Sequence, residues 1–85
     1  MLKIICMFDR AANIYGRPAF TPHLGAALRD FGDEINRAAQ DNPLYKHPDD
    51  YDLYMLGEFD EEMGRFDSKE PVLLVRGKDT VRKES

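Results

Sequence analysis

The sequence holds one cysteine, no long apolar run and no strongly basic stretch. Each shortage removes a class of protein. A lone Cys6 cannot form an intramolecular disulfide, and such sparing thiol use fits a reducing compartment. Without a long apolar run, no membrane-spanning helix is expected. The start, Met1 to Asp9, lacks the apolar region and small-residue cleavage site of a secretory signal, so a soluble cytosolic protein is expected. Internal repeats and low-complexity tracts are also missing.

Charge of one sign is short only locally. Residues 1–48 carry six Lys/Arg and five Asp/Glu, residues 49–70 two against nine, and residues 71–85 four against two. The acid is therefore concentrated in one stretch between mildly basic ends. No broad nucleic-acid footprint exists, so any DNA contact has to use a local, salt-sensitive patch. Eighty-five residues make one domain with a small core, for which dimerisation would add buried area.

What is present is organised around Tyr45–Gly64. A turn at His47-Pro48-Asp49-Asp50 leads into period-two alternation: Tyr51, Leu53, Met55, Gly57 and Phe59 on one face, Asp52, Tyr54, Leu56 and Glu58 on the other. That period argues a strand over 51–59, closed by the acidic turn Asp60–Gly64. Arg65-Phe66-Asp67 returns as a hairpin partner (strand 64–67), with Gly64 supplying a positive φ. Val72–Val75 reads as a separate short strand within 71–76, after a break at Ser68–Pro71.

Upstream, Leu2–Phe8 reads as a central strand covered on both faces, with Cys6 packed as a small hydrophobe. A second extended piece, 14–20, contains Pro18, so it is an edge strand or irregular arm. Thr21-Pro22 looks like an N-cap followed by a first-turn proline. Leu24, Ala27, Leu28, Phe31, Ile35 and Ala38 then recur at helical spacing, which predicts a helix over 22–40 ended by Asp41-Asn42-Pro43. Gly25 suits close approach of another backbone. From Gly77 the chain is polar and expected to fray; Arg76, Lys78, Arg82 and Lys83 there offer a phosphate-binding tail or an ordinary solubilising end. The expected class is α+β: a small antiparallel sheet with one long helix packed on one face. It forms a single domain over 1–76 with a polar tail over 77–85.

Metal and catalytic readings are poorly supported. His23, His47 and Cys6 match no zinc spacing. Asp49, Asp50 and Asp52 have the residue type of a two-metal nuclease, but alternate acids in a turn are ordinarily solvated and no companion motif occurs.

Several blocks together resemble a known family. They are Phe8-Asp9, Pro18-Ala19-Phe20-Thr21-Pro22, Gly25–Phe31, Lys46-His47-Pro48-Asp49-Asp50-Tyr51-Asp52-Leu53-Tyr54 and Leu56-Gly57-Glu58-Phe59-Asp60. In this order they resemble the small nonstructural protein of gokushovirus-type microviruses, bacteriophages with single-stranded DNA genomes. The resemblance covers about residues 2–66; the extension 68–85 lies outside it. It implies a protein absent from the mature particle, acting in the host cytoplasm in genome synthesis or packaging, with no catalytic motif and no cofactor.

The residues suit that role. Nine Phe/Tyr are more than so small a core comfortably holds. Tyr15, Tyr45 and Tyr54, with Arg10, Arg17 and Lys46 near them in sequence, are the expected groove for stacked bases and phosphates. The first expectation is thus a non-enzymatic single-stranded DNA-binding protein. The alternative is a protein–protein adaptor whose acidic strand and turn dock a basic replication or capsid-assembly partner. A homodimer is expected in either case, from exposed edges and a thin core.

Overall fold

The computed structural model describes residues 1–82 and is mostly β. Its elements are β1 (Leu2–Asp9), β2 (Ile14–Tyr15), β3 (Ala19–Thr21), α1 (Leu24–Ile35), α2 (Pro43–Lys46), β4 (Tyr51–Asp60) and β5 (Arg65–Arg76). Short 3-10 turns at Pro48–Asp50 and Gly77–Thr80 complete the chain. All strand pairs are antiparallel in the order β2-β1-β4-β5, with β3 also pairing β1. The expected α+β class with one long helix is corrected: the structure is a curled five-stranded sheet, and its one helix of any length has 12 residues, as many as β5 alone.

The helix is shorter than 22–40 for local reasons. At its start, the Thr21 hydroxyl donates to the His23 carbonyl at 2.9 Å, so Thr21 closes β3 in a turn and α1 begins at Leu24. At its end, Asn36 competes with the helical backbone. Its Nδ2 donates to the Gly32 carbonyl at 2.7 Å and to the Thr80 carbonyl at 2.9 Å. Asn42, 1% exposed, then collects loose carbonyls, donating to Glu34 at 2.8 Å and Arg37 at 2.9 Å. Its Oδ1 accepts from the Leu44 N–H at 3.1 Å and so caps α2. One buried amide thus ends one helix and starts the next. Ala38 falls outside α1 and is exposed.

The helix-side core is Ala27, Phe31, Ile35, Leu44 and Leu53, flanked by Ile5, Met7, Leu28, Tyr51, Leu74 and Val75. Its strand members are Ile5 and Met7 of β1 and Leu53 of β4, one face of the sheet. Burial there, and then Asp9 and Asp50, push the Tyr51 hydroxyl pKa up.

A register shift changes what the other face carries. Ile5 pairs with Met55 but Ile4 pairs with Gly57, so Leu56 is an extra residue and the alternation of β4 reverses there. Met55 and Gly57 therefore lie on opposite faces, which corrects the single stripe Tyr51 to Phe59. Gly57 has φ +144°, and an added Cβ would collide with the Asp67 backbone, so glycine is required at the bulge. Opposite it, β5 stays one strand through Ser68–Pro71, correcting the expected break. Lys69, Glu70 and Pro71 bulge on the sheet edge, where a missing N–H is tolerated.

Both hairpin turns rest on an aspartate. Asp9 Oδ1 accepts from Ala11 and Ala12, and Asp60 Oδ1 from Glu62 and Met63. Gly64, at φ +66°, closes the second turn. Gly25 approaches no backbone, since a Cβ there would meet nothing within 4 Å. Gly77 does: a Cβ would meet the carbonyls of Pro48 and Tyr51. Residues 77–82 are tied back rather than frayed. The Arg82 N–H donates to Asn36 Oδ1 at 2.8 Å, and its guanidinium meets Asp33 at 2.6 Å. Lys83 lies outside the described residues.

Candidate nucleic-acid interface

The even-numbered residues of β1 face away from α1, and the register gathers aromatic rings beside them. Phe8 lies opposite Tyr15, and Cys6 opposite Tyr54. The Phe8 and Tyr15 ring centroids are 4.6 Å apart, Phe8 and Tyr54 5.8 Å, and Tyr15 and Tyr54 5.5 Å. At the far end Ile4 lies opposite Phe20, and Phe59 opposite Phe66. Those three phenylalanines form a second group with centroids 5.0 to 6.3 Å apart. Of nine aromatic residues, six therefore stand on the face that neither helix covers. Phe31 and Tyr51 belong to the helix-side core, and Tyr45 is exposed elsewhere.

Between the two groups sit Ile4 and Cys6, 7% and 2% exposed. The Cys6 thiol donates to the Gly16 carbonyl at 3.2 Å, tying β1 to the loop after β2. Burial pushes its pKa up, which disfavours the reactive thiolate.

Next to the tyrosine group is the one buried carboxylate among the described residues. Asp52, 1% exposed, lies opposite Phe8 on one side and Arg76 on the other. Its Oδ2 accepts from Arg76 at 3.2 Å and has the Arg10 guanidinium at 3.9 Å. Its Oδ1 has no hydrogen-bond partner among the described residues. Two half-exposed guanidiniums thus flank one carboxylate beside an open aromatic surface, and Asp49 and Asp50 line a hollow with Arg10 and Lys78. Arg10 is held further by donation from its guanidinium to the Asp49 carbonyl.

Part of the acid of 49–70 points elsewhere. Lys3 lies opposite Glu58, and Glu58 opposite Asp67, so all three occupy the other face, with a 2.6 Å Lys3–Glu58 ion pair. Asp60 and Glu61 stand at the hairpin tip, where Glu61 meets the N-terminal amine at 3.3 Å.

The six residues expected to share a groove are not gathered into one. Tyr15 and Tyr54 are in ring contact, and Arg10 is adjacent through Asp52. Arg17 instead lines a groove of about 510 Å³ between β3 and α1, with Ile5, Met7, Phe20, Phe31, Asp30 and Glu34. Tyr45 and Lys46 lie against Ala38, Ala39 and Gln40, past the end of α1. Phe8, Arg76 and Asp52 were missed as site residues. Phe8 reads as core in an apolar strand, and the Asp52–Arg76 pair depends on the register of β5. Among the described residues no three His, Cys, Asp or Glu side chains gather as a metal site. No helix of the described residues is long and apolar enough to cross a membrane.

The site is thus an open aromatic face of a small curled sheet, bordered by an arginine pair. The comparisons supply the lineage: the Phage ORF5 protein family matches residues 2–80, and the chain belongs to it. It is similar to Protein ORF5 of Chlamydia phage 1, with 36% identity over 62 residues. The match covers 71% of this chain and 65% of that protein, so the chain spans just under two thirds of its relative. The microvirus resemblance read from the motif blocks is thereby supported: this is a small protein of microvirus-type phages. No solved structure matches.

Proposed function

We propose that this chain is a non-enzymatic single-stranded DNA-binding protein acting in phage genome synthesis or packaging in the host cytoplasm. The observation that carries the reading is the Phe8–Tyr15–Tyr54 group on the open sheet face, bordered by the Arg10 and Arg76 guanidiniums. Bases stack on such rings whatever their identity, at about 1–3 kcal/mol each, and guanidiniums supply phosphate contacts. Asp52 acts as a positioning residue, fixing both arginines beside the rings. Glu58, Asp67 and the acids of the hairpin tip lie away from the tyrosines, whereas Asp49 and Asp50 stand beside Arg10.

The test is fluorescence-anisotropy titration of a labelled single-stranded oligonucleotide at two salt concentrations, with a duplex control. Saturable binding that prefers the single strand and weakens with salt is expected. No binding at low salt would remove the reading. The adaptor reading keeps one supporting feature, the exposed Glu61-Glu62 tip beside Asp60. Charge reversal there is expected to leave DNA affinity undiminished, whereas an adaptor surface would lose its basic partner.

A further inference from the structure

We infer that the Phe20–Phe59–Phe66 group is the contact through which two copies of this chain associate. It lies on the same open face as the tyrosine group but differs in chemistry. The register places Leu2, Ile4, Gly57 and Ser68 around the three rings, and none of these side chains is ionisable. The ionised groups of this arm stand on the opposite face or at its tip, several already paired: Lys3–Glu58, Asp67–Lys69 and the amine of Met1 with Glu61. The nearest guanidiniums are Arg17, in the groove that Phe20 also lines, and Arg65 at the hairpin end, where a phosphate backbone also meets the acidic tip. A second copy brings an equally neutral, equally aromatic surface. A twofold contact uses one patch on both partners, so the patch has only to match itself.

Shape and area point the same way. The molecule extends 46 × 27 × 20 Å with a Cα radius of gyration of 13.6 Å, against about 12 Å for a compact domain of this length. Its accessible surface is 5973 Å², about 800 Å² more than a compact monomer of 9.8 kDa exposes. That excess is about what one partner buries in an interface of standard size. Part of it is in this arm, where Phe20 is 49% and Phe66 63% exposed. The open edge of β5 is a poorer contact, because Pro71 and the bulge around it interrupt the ladder.

The test is sedimentation equilibrium over a wide concentration range, which requires no DNA and so stands or falls apart from the DNA reading. The wild type is expected to reach twice the 9.8 kDa chain mass, and to associate more tightly as salt screens the acidic tips. Phe66→Asp is expected to weaken association about tenfold or more, with the far-ultraviolet dichroism of a folded chain. Phe66→Ser serves the same purpose if the aspartate variant does not fold. A wild type that stays monomeric, or a dimer that both variants leave intact, would overturn the inference. So would variants that keep the wild-type mass but lose affinity for a short oligonucleotide, which would make the patch a DNA platform.

Discussion

The two faces of the sheet use the same residue types for opposite ends. On the helix side, Phe31 and Tyr51 are enclosed with Ile35 and Leu53, and the apolar surface is spent on stability. On the other side, Phe8, Tyr15 and Tyr54 form one group and Phe20, Phe59 and Phe66 another, in tilted or edge-on ring contacts that keep part of their surface in water. The open face divides again, into a tyrosine end bordered by Arg10, Arg76 and Asp52 and a phenylalanine end ringed by Leu2, Ile4, Gly57 and Ser68. Aromatic content alone therefore says little. What a ring does depends on what covers it and on which charges share its face.

The largest expected effect lies in the enclosed core. Ile35, 1% exposed, is replaced by alanine at a cost of about 3–4 kcal/mol, read from the midpoint of a urea titration. Phe66→Ser on the open face shifts the same midpoint of the monomer only slightly. Equal shifts would erase the distinction between the faces. Next comes the buried carboxylate. Arg76→Met removes the closer partner of Asp52 and leaves a desolvated anion, which costs about 2–3 kcal/mol in the same titration.

Binding effects follow. Tyr54→Ala is expected to weaken single-stranded DNA binding by about 1–3 kcal/mol, while Tyr45→Ala, on the far side of the molecule, leaves it unchanged in the same anisotropy assay. Arg10→Gln is expected to lower the slope of log affinity against log salt by about 0.7, the share of one phosphate contact on a single strand. A slope unchanged in that variant would detach Arg10 from the site.

The smallest effect is a control in α1. Hydrogen bonding to Arg37 holds the Glu34 carboxyl below its usual range. A lowered folded-state pKa stabilises the fold above the carboxylate's unfolded value, and that contribution is lost as pH falls through the folded one. Glu34→Gln should therefore melt slightly below wild type at neutral pH and together with it in strong acid. DNA affinity should not change.

Much of this was legible in the chain. The strand at Leu2–Phe8, the Asp60–Gly64 turn and the apolar positions of the helix follow from period and turn chemistry, which are local. The fold class was misjudged through side chains that act at a distance. Asn36 and Asn42 read as a helix interior and a breaker, but their amides reach Thr80, Glu34 and Arg37 and cut the helix to 12 residues. Leu56 reads as one more alternating residue, yet the bulge there transfers Gly57 and Phe59 to the open face. The positive φ of Gly57 is the trace such a bulge leaves in sequence, as an isolated glycine in a strand. Tyr15 and Tyr54 were identifiable as amphipathic aromatics. Their meeting with Phe8 depended on strand pairing that sequence proximity does not reveal, and the same limit misplaced Arg17, Tyr45 and Lys46.

The most direct test of the central claim is a paired titration: wild type and Tyr54→Ala against one labelled single-stranded oligonucleotide, at low and moderate salt. Salt-sensitive binding by the wild type that prefers the single strand over duplex is expected. So is a loss of about 1–3 kcal/mol in the variant with the fold intact. Equal affinity in the two proteins, or no binding by the wild type at low salt, would contradict it.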